Sequence, residues 1–122
     1  MTVKRTQIGA RMSQAVVHGD TVYLSGQVAD DPLASFAEQT KQILSKIDRL
    51  LVAVGSGKSR ILSANIWLAD IGRLAEMNEL WDAWASPSAA PAQVTVQSAL
   101  ARPRNLVEIM IVAALDQGAR KS

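Results

Sequence analysis

The feature that most constrains the fold is the segment 106–115, LVEIMIVAAL, where Glu108 is the only charged residue and every other position is apolar. A strand turns successive side chains to opposite faces of its sheet, so a strand apolar at odd and even positions needs cover on both. The segment therefore reads as a central strand. Helices of the same chain can cover one face. A chain of 122 residues has little left for the other, and a bare apolar sheet face marks a subunit interface. An oligomer is the expectation. Glu108 must find a partner or a wet cleft, because an unpaired buried charge is costly. Arg102 and Arg104 are close in sequence, which makes a structural ion pair at least as good a reading as a functional role.

The other elements follow from periodicity and punctuation. Phe36, Ile43, Leu44, Ile47, Leu50, Leu51 and Val54 repeat at helical spacing, which predicts a helix over 35–54. Ser35 and Glu38 stand in capping-box spacing, and Gly55 follows where a helix end favours a left-handed residue. Upstream, Ala15-Val16-Val17-His18 and Thr21-Val22-Tyr23-Leu24-Ser25 flank Gly19-Asp20, as in a tight β-hairpin. Residues 61–68 alternate, with Ile61, Ser63, Asn65 and Trp67 expected on one face. Asp70 is placed to cap a second helix over 71–84, with Leu74, Met77, Trp81 and Trp84 at helical spacing. Ser86-Pro87-Ser88 ends it. Strands over 92–99 and 106–115 close the chain, joined by a turn holding Pro103. The order β-β-β-α-β-α-β-β predicts an α+β fold, a mixed sheet with both helices on one face. No repeat or linker divides the chain, so residues 1–122 read as one domain.

Composition removes several chemistries. The chain has no cysteine, which excludes disulfides, thiolate metal sites and a thiol nucleophile. One histidine among scattered carboxylates offers no ligand spacing, so no metal site is expected. His18 sits at the hairpin end, where an exposed turn residue is the plain reading. Gly57-Lys58-Ser59 imitates the end of a phosphate-binding loop, but Val52 stands where the first glycine belongs and a helix precedes it. Trp81 and Trp84 read as core or interface anchors. The net charge is only +2, and part of the basic excess lies at Lys4-Arg5 and Arg120-Lys121, with Arg102 and Arg104 a third small cluster. Without a dense basic face and stacking aromatics, no nucleic-acid partner is expected. No run approaches the ~18 apolar residues of a membrane span, and nothing after Lys4-Arg5 looks like a signal peptide. The expected location is the cytoplasm.

Against this background the motifs become specific. Arg11-Met12-Ser13-Gln14-Ala15 and Gly19-Asp20-Thr21-Val22-Tyr23-Leu24-Ser25-Gly26-Gln27 resemble the N-terminal signature of the RidA (YjgF-type) enamine/imine deaminase family. Ala64-Asn65-Ile66-Trp67-Leu68-Ala69-Asp70 and Met77-Asn78-Glu79-Leu80-Trp81 are similar to its second strand–helix unit. Ala90-Pro91-Ala92-Gln93-Val94-Thr95-Val96 falls on its most diagnostic segment, and Val107-Glu108-Ile109 on its closing strand. The resemblance covers nearly the whole chain. It implies a chorismate-mutase-like fold and a homotrimer, with three sheets forming a central barrel and a small-molecule cleft at each subunit interface. The implied activity is hydrolysis of 2-imino or enamine acids to 2-keto acids and ammonia, without metal or cofactor.

The resemblance also marks departures. In active members an arginine of a Pro-x-Arg segment clamps the substrate carboxylate, and the matching position here is Gln93. The family's acidic residue near the end of the last strand falls on Met110, and its N-terminal aromatic on Met12. Glutamine carries no charge and has no fork to match a carboxylate. Losing such a contact costs about 2–5 kcal/mol of binding. The expectation is therefore a homotrimer whose clefts, lined by Ser25, Gly26, Asn78, Gln93, Thr95 and Arg11, hold a small metabolite such as a 2-imino or 2-keto acid. Standard deamination would be weak or lost. An arginine relocated to Arg11 or Arg102 would instead leave an active deaminase. Endoribonuclease or translation-inhibitor labels carried by relatives give a third reading, opposed by the sparse basic surface and the absent histidine pair.

Overall fold

The computed structural model describes residues 1–116; Arg120 and Lys121 lie outside them. The elements are β1 (Val3–Ile8), β2 (Ser13–His18), β3 (Thr21–Leu24), α1 (Phe36–Ala53), β4 (Ile61–Leu68), α2 (Leu74–Trp84), β5 (Ala92–Gln97) and β6 (Val107–Ala114). This is the expected order. The strands form one sheet in the order β1-β2-β3-β6-β4-β5. Every neighbouring pair is antiparallel except β4 and β5. Those two run parallel because α2 carries the chain back across the sheet between them.

β6 lies in the interior of the sheet, as its composition demands. Val107, Ile109, Ile111 and Ala113 are fully buried and share one core with Ile43, Ile47 and Leu51 of α1 and Met77 and Trp81 of α2. Both helices therefore pack on a single face. The alternate residues Glu108, Met110, Val112 and Ala114 are only half-buried. Beside them on the other face stand Ser63, Asn65 and Trp67 of β4, then Val94 and Val96 of β5, and Tyr23 of β3. Among the described residues no helix covers this second face.

One expectation needs correction. Ile61 does not share a face with Ser63. The β4–β6 register shifts there, with Ile61 opposite Ala113 and Ser63 opposite Val112. Two residues of β4 answer one of β6, a bulge that turns Ile61 into the core and Leu62 outward. Plain alternation cannot reveal such an insertion.

The helix signals act largely as read. The Ser35 hydroxyl accepts from the Glu38 N–H at 3.2 Å, and Gly55 adopts φ +85° beyond the end of α1. Glu38 does not complete a reciprocal box; its carboxylate lies 3.8 Å from Lys41. Asp70 accepts from the Gly72 N–H and caps a short 3-10 turn, Ile71–Arg73, that leads into α2. Gly57-Lys58-Ser59 belongs to the polar connection into β4. Trp81 is core. Trp84 stands edge-on to it with ring centroids 5.2 Å apart and donates its indole N–H to Asp48 of α1 at 2.9 Å.

Gln39 is the polar centre of the helix–sheet junction. It is 0% exposed, and its amide nitrogen faces the carbonyls of Pro32, Ala34 and Arg104 while its oxygen accepts from the Leu106 N–H. One side chain thus joins the loop before α1 to the entry of β6. Removing it strands several buried backbone groups, each costing about 1–3 kcal/mol. Gln39→Leu is expected to lower unfolding stability by about 2–4 kcal/mol with little change in the urea m-value, read from equilibrium urea denaturation.

Candidate functional site

The site begins with a miscount between two strands. Tyr23 lies opposite Val112, yet Gln27, four residues later, lies opposite Ile109, only three residues away. The extra residue makes a bulge at Ser25–Gly26. As a result Leu24 and Gln27, three apart, both point into the helix-covered core, at 1% and 2% exposure. The residues between them pass along the bare face. There Gly26 lies against Glu108 of β6, and a Cβ on Gly26 would overlap the Glu108 carboxylate. Only glycine leaves that carboxylate where it stands.

The bulge is held by polar contacts. The Ser25 N–H donates to the Gln14 carbonyl at 2.9 Å, and the Ser25 hydroxyl to the Met12 sulfur at 2.9 Å. The buried Gln27 amide donates to the Gln14 side-chain oxygen and to the Ser25 carbonyl. The Gly26 N–H has no partner among the described residues. Beyond the bulge, Lys46 of α1 donates to the Val28 carbonyl at 2.8 Å and to Asp30 at 2.9 Å. The Lys46 hydrogen bond and charge, with a smaller contribution from Arg49, hold the Asp30 carboxyl below its ordinary value. On the helix side, an open groove of about 590 Å³ is lined by Gln7, Gln14, Gln27, Lys46 and Arg49; it includes none of the expected site residues.

Glu108 is the residue that sequence reasoning undervalued. Neither Arg102 nor Arg104 reaches it, and no hydrogen bond or ion pair to its side chain exists among the described residues. The alternative of a structural ion pair therefore falls. A lone charge in an otherwise apolar strand was the available signal. Met110, two residues on, shares its face opposite Asn65.

The six expected residues fall into two groups. Ser25 and Gly26 meet Glu108 and Met12 at one corner of the bare face, with Arg11 exposed in the adjoining loop. Gln93 and Thr95 lie elsewhere. On β5 they pair with Ala64 and Ile66, whose side chains are buried under the helices, so they point to the opposite side of the sheet. They also stand on an edge strand two strands from β6, roughly 10 Å away. Asn78 is exposed on α2 in the same layer. None of these three side chains has a hydrogen-bond partner among the described residues. One copy of the chain does not bring the two groups into one cleft. Among the described residues there is also no cluster of metal-ligating side chains and no helix long and apolar enough to cross a membrane. His18 is an exposed strand end.

Known proteins share this architecture. A family model described as Endoribonuclease L-PSP matches residues 3–115. The RutC family protein YoaB of Escherichia coli is 45% identical over 115 residues, 94% of this chain and 100% of that protein. A bovine 2-iminobutanoate/2-iminopropanoate deaminase is 33% identical over 107 residues, 83% of this chain and 77% of that one. The crystal structure of a YjgF family member from Neisseria meningitidis superposes with a TM-score of 0.93 at 40% identity, covering 96% of this chain and 98% of that one.

Two outcomes follow from the corner geometry. Because the obstacle to a Gly26 side chain is the movable end of Glu108, Gly26→Ala should fold with a loss below about 1 kcal/mol. It should nevertheless displace the Glu108 carboxylate, seen in a crystal structure or as a changed carboxyl carbon NMR shift. Asp30 titrates lower in the folded state, so its contribution is present above the ordinary carboxyl value and fades as pH falls through the folded one. Lys46→Met should therefore weaken the acid-side loss of stability, by less than about 1 kcal/mol for so exposed a carboxylate, measured by urea midpoints across acid pH.

Proposed function

The chain belongs to the endoribonuclease L-PSP family, that of the RidA and YjgF proteins, and from this premise we propose that it forms a homotrimer binding a small 2-imino or 2-keto metabolite in clefts between subunits. Standard imine deamination is weak or lost in it. The observation that carries this reading is the division of the site by the sheet itself. Ser25, Gly26 and Glu108 lie on the bare face, whereas Gln93 and Thr95 lie on the helix side of an edge strand. The corner of one copy must meet the β5 edge of another for both groups to touch one ligand. The apolar side chains of the bare face, Trp67, Met110, Val112, Val94 and Val96, favour the same arrangement, since a second copy removes them from water. A heterologous contact of this kind closes into a ring when its rotation fits.

The chemistry of the two halves is unequal. Imine hydrolysis adds water across the C=N bond, with oxygen to carbon and a proton to nitrogen; the resulting carbinolamine expels ammonia and leaves a carbonyl. The corner supplies what the water needs: a carboxylate, Glu108, to hold it, with the Ser25 hydroxyl and the unpartnered Gly26 N–H to steady developing charge. The β5 edge supplies no cation. Gln93 offers hydrogen bonds but no countercharge to a substrate carboxylate. The bovine relative named as a deaminase supports the reaction class, and Gln93 argues for its attenuation here. Arg11, exposed next to Met12, supports a second reading in which it holds the carboxylate and deamination persists.

The test is turnover of 2-iminopropanoate, generated in situ, by the native protein and Gln93→Arg. The native protein is expected to be slow and the variant faster by about 30-fold or more, the equivalent of ~2 kcal/mol. Equal, efficient turnover by both would sink the attenuated reading and favour Arg11. Sedimentation should give a mass three times the 13.1 kDa of the chain; a monomer would leave the two halves of the site apart.

A further inference from the structure

Resting on that reading of the cleft, we infer that the ligand presents a neutral carboxamide to the β5 edge, as a small 2-oxo or 2-imino amide would, rather than a carboxylate. Residues 83–101 contain no charged side chain. They include the end of α2, the connection after it and the whole of β5. On that strand Gln93 and Thr95, alternate residues about 7 Å apart on one face, are both without a hydrogen-bond partner among the described residues. The Gln93 amide carries one acceptor and two donor hydrogens. A carboxamide presents the matching acceptor and donor, so the two amides join by a pair of N–H···O bonds running in opposite directions.

A carboxylate has acceptors only. Against Gln93 it keeps one hydrogen bond and sets its second oxygen against the glutamine oxygen. It also brings a negative charge to a strand that carries no cation of its own, toward a corner where Glu108 stands without an ion pair. Withdrawing a carboxylate from water under these conditions is costly, whereas a neutral amide avoids the charge penalty and matches the donor and the acceptor that Gln93 turns toward it. The Thr95 hydroxyl, which donates or accepts, suits the neighbouring oxo or imino group. The selection is by hydrogen-bond pattern, so one side chain decides it.

Calorimetric titration with pyruvamide and with pyruvate tests this in the native protein, in Gln93→Arg and in Gln93→Met. The native protein should bind the amide about tenfold more tightly than the acid or better. Gln93→Arg should reverse the order, and Gln93→Met should lose the amide preference. Native protein that binds pyruvate as tightly as pyruvamide overturns the inference. If native protein takes neither while Gln93→Arg binds pyruvate, the cleft stands and the amide assignment falls. If no protein binds either compound, the cleft reading falls with it.

Discussion

Everything in this structure depends on how β6 is covered. Its two faces are both largely apolar, but among the described residues the helices shield only one. α1 and α2 bury Val107, Ile109, Ile111 and Ala113 completely, and the hydrophobic gain of that layer organises the core. The opposite face keeps Met110, Val112 and Trp67 half in water. The same strand therefore stabilises the subunit and leaves it unsatisfied. The unsatisfied side is also where Glu108 stands, so the need for cover and the proposed place for chemistry coincide.

That coincidence is made usable by small irregularities rather than by the regular elements. Without the bulge between β3 and β6, Ser25 and Gly26 would alternate across the sheet, and only one would share a face with Glu108. The bulge is paid for in ladder hydrogen bonds, and the buried Gln27 amide compensates by tying Ser25 to Gln14. Lys46 then holds the departing chain through Val28 and Asp30. Gln39 performs the equivalent task for the entry of β6. Each is a polar side chain working where backbone groups would otherwise go unmatched.

Local signals in the chain were readable because they act locally. Ser35 caps its helix through an N–H three residues away, Gly19-Asp20 closes a hairpin between adjacent strands, and Asp70 caps through Gly72. The interior position of β6 was readable as well, since composition alone demands cover on two sides. The family motifs were readable as a resemblance, and the similarity to known members of the family agrees with it. The two bulges were not: an extra residue leaves no mark in an apolar pattern and appears only when two strands are counted against each other. Glu108 was visible as an oddity but not as part of the candidate site, because Gly26, which lies against its carboxylate, is 82 positions away in the chain.

By itself, then, the sequence carried the family resemblance and determined the kinds of element, their order and the interior position of β6. These follow from periodicity, capping and short-range sterics, which involve residues a few positions apart. Only the tertiary structure decided which side of the sheet each polar residue occupies. It put Ser25, Gly26 and Glu108 on one face and Gln93 and Thr95 on the other. The reason is that side-chain direction in a sheet depends on register, and register is settled between strands rather than within them.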